Sequence, residues 1–116
     1  MVCTGAGTSL ANIINEYFKR IEMSPGMIQS IHLTSKPGPV TQGLVPCVTV
    51  QILYSTDTRR IDNNSVCTAR VVCEDRQENY CDEVDCAINN SAEKLWHDSA
   101  VQDAQGTYYW VGIFAP

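Results

Sequence analysis

Basic residues are scarce in this chain of 116 residues, which has 8 Lys and Arg against 13 Asp and Glu and a formal charge of -5. Nucleic-acid backbones and anionic membranes are bound by clustered Lys and Arg, and here these residues are scattered along the sequence. The composition therefore argues against a protein that binds specific nucleic-acid sequences and against one that binds a membrane surface.

Long apolar runs are also missing. No stretch approaches the roughly 20 residues that cross a bilayer, and residues 1–9 lack the basic start and apolar block of a secretory signal. If Met1 is the native start, we expect a cytosolic product that folds as one domain over residues 1–116. With 44% hydrophobic residues, a chain of this length can bury a core without metal or disulfides.

The usual signatures of catalysis are absent as well. There is no Gly-rich phosphate loop, no H-E-x-x-H motif and no G-x-S-x-G motif. Of the two histidines, His32 lies on the more polar side of a predicted strand. His97 follows Cys81 and Cys86 by 16 and 11 residues, which is about 24 and 16 Å along one predicted helix and too far for a Cys–His pair. We expect no enzyme and no catalytic, cofactor-binding or metal-binding residues.

Six cysteines are the unusual feature of the composition: Cys3, Cys47, Cys67, Cys73, Cys81 and Cys86. They admit two interpretations, either reduced thiols that pack as small apolar groups or three bridges in a small secreted domain whose signal peptide has been removed. Their spacing lacks the C-x2-C pairs of zinc sites, and no histidine lies at ligand spacing. A zinc site is therefore not expected.

A first amphipathic helix is predicted from Thr8 onward. Its apolar residues recur at helical spacing on one stripe. They are Leu10, Ile13, Ile14, Tyr17, Phe18 and Ile21. Pro25 and Gly26 end the helix. Its other side is nearly neutral, so we expect it to pack on the core and not on a membrane.

Three strands are predicted after this helix. Residues 27–34 alternate and form the first strand. Residues 35–43, with two prolines and two glycines, form a loop that is longer than usual, which we interpret as a contact arm. Residues 48–54 and 66–73 alternate in the same way and flank a polar segment, residues 55–64. We therefore predict that these two strands form a long antiparallel hairpin.

A second helix is predicted between residue 75 and His97. Asp75 and Glu78 have the spacing of a capping box, and further carboxylates suit the positive end of a helix dipole better than a calcium site, because no D-x-D-x-D-G loop is present. The apolar stripe of this helix ends at Leu95, and Trp96 can close its end. The stripe consists of Tyr80, Val84, Ala87, Ile88, Ser91 and Leu95.

The last predicted strand, residues 107–114, is apolar on both faces. Tyr109, Val111 and Ile113 lie on one face, and the other carries Tyr108, Trp110 and Phe114. One face suffices to meet the core, so the other is covered either by the first helix or by another subunit. We favour the subunit and predict that the chain self-associates through this strand.

Together these elements predict an α+β fold with a single antiparallel sheet of about four strands packed with two helices, in the order α-β-β-β-α-β. This order resembles that of the tail-terminator and tail-completion proteins of tailed bacteriophages. The local likeness lies in L-V-P-C-V-T-V at residues 44–50, A-R-V-V-C at residues 69–73, and Tyr80 at the opening of a helix. It spans about 50 residues together with the flanking element order.

The resemblance implies a structural virion protein that is made in the host cytoplasm. Such proteins form rings, commonly hexamers, at the head-proximal end of the tail, and they join the tail tube to neck proteins. No catalytic residues or cofactors are implied. From exposure and position, the candidate interface residues are Arg59, Arg60, Lys36, Gln42, Tyr108, Trp110 and Phe114. The alternative is a small secreted effector or binding domain with disulfides.

Overall fold

The computed structural model describes residues 1–36, 47–56 and 66–116. These residues form the elements β1 (Val2–Ala6), α1 (Ser9–Ile21), a short 3-10 helix (Pro25–Met27), β2 (Ile28–Lys36), β3 (Cys47–Tyr54), β4 (Thr68–Glu74), α2 (Gln77–Asn89), β5 (Lys94–Gln102) and β6 (Tyr108–Ala115). The predicted α+β class is confirmed.

The strands form two three-stranded antiparallel sheets, with the orders β1-β3-β2 and β4-β6-β5. The prediction of a single sheet of about four strands is therefore wrong. The predicted hairpin is wrong too, because β3 and β4 belong to different sheets. Alternation identifies the buried face of a strand, but it does not identify the strand that pairs with it.

The second helix ends earlier than predicted, and residues beyond it form a strand. α2 ends at Asn89, and Lys94–Gln102 form β5 with alternating exposure along all nine residues. The capping box is wrong as well, because Arg76 and not Asp75 occupies the N-cap position. Asp75 instead accepts a hydrogen bond from the hydroxyl of Thr107 at 2.9 Å.

A single main core lies between the two sheets and α1. Sheet β1-β3-β2 contributes Cys3, Leu33, Val48, Val50 and Ile52, while sheet β4-β6-β5 contributes Ala69, Tyr109, Val111 and Ile113. From α1, the predicted stripe buries Leu10, Ile14 and Phe18. β2 and β5 lie alongside each other, and α1 packs against β1 and β4. The inner face of each sheet is thus buried in this core.

α1 also closes the outer edge of β4. The side-chain amide of Asn15 accepts a hydrogen bond from the backbone N–H of Ala69 at 2.7 Å and donates one to the Ala69 carbonyl at 3.1 Å. An amide group that both donates and accepts in this way makes the contacts that a neighbouring strand would make. The helix therefore substitutes for a fourth strand at this point of the edge.

α2 covers the outer face of the second sheet. Val72, Trp110 and Phe114 form a second buried cluster, and residues of the predicted α2 stripe pack against it together with Leu95 of β5. Those α2 residues are Tyr80, Val84, Ala87 and Ile88. The layers therefore run from the outer face of sheet β1-β3-β2, through the main core with α1, to sheet β4-β6-β5 and finally α2.

Candidate interaction surfaces

Most of the predicted interface residues on loops lie outside the described residues. This applies to Arg59, Arg60 and Gln42. Lys36 is the last residue of β2, and its side chain is likewise outside the described part of the chain. A contact role for these residues therefore stays a prediction.

The aromatic residues of the last strand are covered within the chain. Trp110 and Phe114 are only 2% and 1% exposed, and their rings meet edge to face at 6.2 Å. Tyr108 is half-buried and stacks on Tyr80 of α2 at 5.1 Å. The inference that this face needs another subunit is thus wrong for Trp110 and Phe114, because α2 covers it. The alternative cover, the first helix, lies on the other side of the sheet.

Trp110 is held in place from two directions. Its indole N–H donates a hydrogen bond to the carboxylate of Asp98 on β5 at 3.1 Å. Its ring also lies against the backbone of Gly112, where a β-carbon would come within 2.2 Å of the indole. The missing side chain at Gly112 is therefore what makes room for the buried tryptophan.

The outer face of sheet β1-β3-β2 is the open face of the molecule. The outward residues form rows across the sheet: Val2, Gln51 and His32 in one, Thr4, Thr49 and Thr34 in the next, and Leu53 beside Ser30. The hydroxyl oxygens of Thr4 and Thr49 are 3.0 Å apart, within hydrogen-bonding distance. We call these eight residues the open face.

The open face carries apolar groups and no formal charge. Val2 is 59% exposed and Leu53 is 46% exposed. None of the eight residues is Asp, Glu, Lys or Arg. Charged residues are depleted at the centres of protein interfaces, whereas ordinary solvent-facing surface is rich in them. The open face therefore shares the depletion of charged side chains with the centre of an interface.

Sequence reasoning did not identify the open face. The alternation of residues 48–54 predicts that Thr49 and Gln51 lie on the side of β3 away from the core, but it predicts neither β1 nor the central position of β3 in its sheet. The alternation of exposed Val2 and Thr4 around buried Cys3 is the local signal for β1. That signal is only five residues long, which is near the lower limit for a recognisable strand.

The opposite outer surface of the molecule is acidic. Residues 74–85 contain six acidic residues and one arginine, so their formal charge of -5 equals that of the whole chain. These carboxylates lie at the end of β4 and on α2, and all but Glu74 are clearly exposed. They are Glu74, Asp75, Glu78, Asp82, Glu83 and Asp85, which we call the acidic surface. A side-chain hydrogen bond with Glu74 raises the pKa of Glu83, as burial and the charge of Glu74 also do.

Five thiols are free: Cys3, Cys67, Cys73, Cys81 and Cys86. A framework of three bridges needs all six cysteines, so this structure does not contain it. Burial raises the pKa of Cys67 to about 12, with a further contribution from the charge of Glu93. Burial also raises the pKa values of Cys3 and Cys73. Thiols that stay protonated near neutral pH are poor nucleophiles, and these three act as packing groups.

Tyr109 is the other buried acid of the main core. Its hydroxyl donates a hydrogen bond to the carboxylate of Asp103 at 3.4 Å. Several effects together raise the pKa of Tyr109 to about 12, and burial is the largest of them. The charges of Cys73 and Asp103 and hydrogen bonds to these two residues act in the same direction. The neutral phenol is therefore the form that the folded state favours.

These shifts predict that the protein loses stability at alkaline pH. For Tyr109 and Cys67 the folded pKa lies above the ordinary values of 10.0 and 9.0. The unfolded chain therefore releases these protons first, and stability that is complete below pH 9 falls as the pH rises toward 12. We expect denaturant titrations in reductant to show this fall, which should be shallower in Tyr109→Phe. A constant free energy of unfolding between pH 8 and 11.5 would contradict the prediction.

Neither a metal cluster nor a membrane-spanning helix occurs in the described ranges. Among residues 1–36, 47–56 and 66–116, no three His, Cys, Asp or Glu side chains are placed to hold a metal ion. None of the helices in these ranges combines the length and the apolar character needed to cross a bilayer. No family model, curated protein or solved structure matches this chain.

Proposed function

We propose that this chain is a structural assembly protein of a tailed-phage virion that acts like a tail terminator. In this role it forms a ring at the head-proximal end of the tail and joins the tail tube to neck proteins. The observation that carries the proposal is the presence of two chemically different surfaces on opposite outer layers, the uncharged open face and the acidic surface. A protein that connects several neighbours needs more than one docking surface.

Ring contacts are heterologous, which means that one patch of a subunit meets a different patch of the next subunit. The acidic surface is one such patch, since it carries a formal charge of -5 over residues 74–85. A complementary patch must be basic. The sequence places Arg59 and Arg60 between β3 and β4, and Lys36 at the end of β2. We infer that these basic side chains of one subunit meet the acidic surface of the next.

A charge-exchange experiment tests this arrangement. We expect the parent protein to form rings of uniform mass that weaken as salt rises, since exposed charge pairs are screened. Arg59→Glu/Arg60→Glu should abolish the rings, and Asp82→Lys/Glu83→Lys should abolish them too. An equimolar mixture of the two variants should restore them, because each altered patch then meets an oppositely charged one. Mass photometry and negative-stain microscopy give the readout.

The matched control is Lys19→Glu/Arg20→Glu. It makes the same change of charge at another adjacent basic pair, in the last turn of α1, and should leave the rings intact. A parent protein that stays monomeric at all concentrations would contradict the ring. Equal loss of rings in both arginine and control variants would show that net charge matters and that the site does not.

A further inference from the structure

We propose that the open face binds the open face of a second copy of this chain, in a two-fold symmetric contact that joins two subunits back to back. This contact differs from the heterologous ring contact, and it does not depend on the proposed function. Where rings form, it pairs two rings.

The first argument is the lack of cover. The inner side of sheet β1-β3-β2 faces the main core, and both α-helices pack elsewhere, α1 against β1 and β4 and α2 against β4 and β6. Within the described residues, nothing lies over Leu53 on the central strand, which remains 46% exposed. Leu53 lies near the end of β3, beside Ser30 of β2, and its exposed side chain offers apolar area that a partner can bury.

Charge distribution identifies the second copy as the partner. The whole formal charge of -5 can be assigned to residues 74–85, which lie beyond the main core and the second sheet. Two copies that meet through their open faces therefore hold their acidic surfaces at the two far ends of the dimer. Like-charge repulsion between copies is smallest in this orientation.

The chemistry of the open face suits pairing with itself. In a two-fold contact the same patch is present on both sides, so any charged residue near the axis would meet its own kind. The open face offers threonine hydroxyls and the amide of Gln51, which both donate and accept hydrogen bonds. Leu53 and Val2 supply apolar area. Each of these groups is compatible with a copy of itself.

The size of the face indicates how strong the contact is. Neighbouring strands lie about 4.8 Å apart, and each residue adds about 3.3 Å to the length of a strand. The three strands therefore cover a footprint of roughly 350 Å². Two such footprints amount to roughly 700 Å², which is below the range of standard specific interfaces and indicates a weak contact. We expect a dimer in the micromolar range, which sedimentation can resolve.

Leu53→Lys is the direct test, with Tyr17→Lys as its control. Both variants add one positive charge at a half-exposed apolar side chain, and Tyr17, 39% exposed, lies on α1 away from the open face. We expect Leu53→Lys to halve the mass of the assembled particle, whether that particle is a dimer or a pair of rings. Tyr17→Lys should keep the parent mass.

Gln51→Lys is a second variant, because Gln51 is already exposed and polar and its substitution leaves the core untouched. Thermal unfolding identifies any variant that fails to fold. Unchanged mass in both folded variants, or a parent without any concentration-dependent doubling, would overturn the proposal. The two proposals can fail independently. A dimer without rings would contradict only the tail-terminator function. Rings whose mass Leu53→Lys leaves unchanged would contradict only the open-face contact.

Discussion

Gly112→Ala is expected to destabilise the protein by about 3 kcal/mol, because overpacking a buried site costs about 1–3 kcal/mol and lost contacts add to that. A β-carbon at this position would come within 2.2 Å of the Trp110 ring. The ring has little room to move, since it is 2% exposed and hydrogen-bonded to Asp98. Denaturant unfolding of the variant and the parent measures the difference.

A double-mutant cycle separates this clash from any general effect of losing a glycine. Trp110→Leu removes the ring that a β-carbon would strike, so Gly112→Ala should cost far less in that background. The coupling between the two positions should amount to about 2 kcal/mol. Gly112→Ala with the same cost in both backgrounds would show that the backbone, and not the indole, requires glycine here.

Asn15→Leu is expected to cost about 3 kcal/mol. The substitution keeps a side chain of similar size but removes the partner of both the N–H and the C=O of Ala69, a residue that is buried. Each buried backbone group left without a hydrogen bond costs about 1–3 kcal/mol. Thermal and denaturant unfolding give the loss of stability.

Asn15→Asp is the second variant, because it keeps the oxygen that accepts from the Ala69 N–H and replaces the donor with an oxygen that faces the Ala69 carbonyl. Its cost should be smaller than that of Asn15→Leu. The leucine variant should also aggregate more readily, since an uncovered edge strand pairs with other chains. Equal stability of all three proteins would show that the amide contact contributes nothing to the fold.

The sequence was a good guide wherever a periodic pattern was long. The stripe from Leu10 to Phe18 predicts α1, and the stripe from Tyr80 to Ile88 predicts the buried side of α2, because a helix must bury a continuous face. The prediction of the second helix was wrong at Leu95 and Trp96, which lie beyond the end of α2. Leu95 continues the helical spacing of α2, yet it is the second residue of the alternating nine-residue run Lys94–Gln102 that forms β5.

The sequence does not show which strands pair with each other, for a different reason. β3 and β4 are neighbours in the sequence with the same alternation, but β3 pairs with β1 and β2, whereas β4 pairs with β6. The prediction that Trp110 lies in a subunit interface was wrong for a related reason. An apolar face shows that something must cover it, but not whether the cover is another subunit, the first helix or, as here, α2. The open face depends on all of these assignments and therefore could not be predicted.

The place of β6 in its sheet constrains how the protein is made. β6 is the central strand, flanked by β4 and β5, although both of these precede it in the sequence. During synthesis on a ribosome, β4 and β5 therefore emerge without any strand to pair with. These two strands can pair with β6 only after residues 108–115 have left the exit tunnel. The six carboxylates of residues 74–85 lie within that segment, and their like charges oppose its association with other nascent chains.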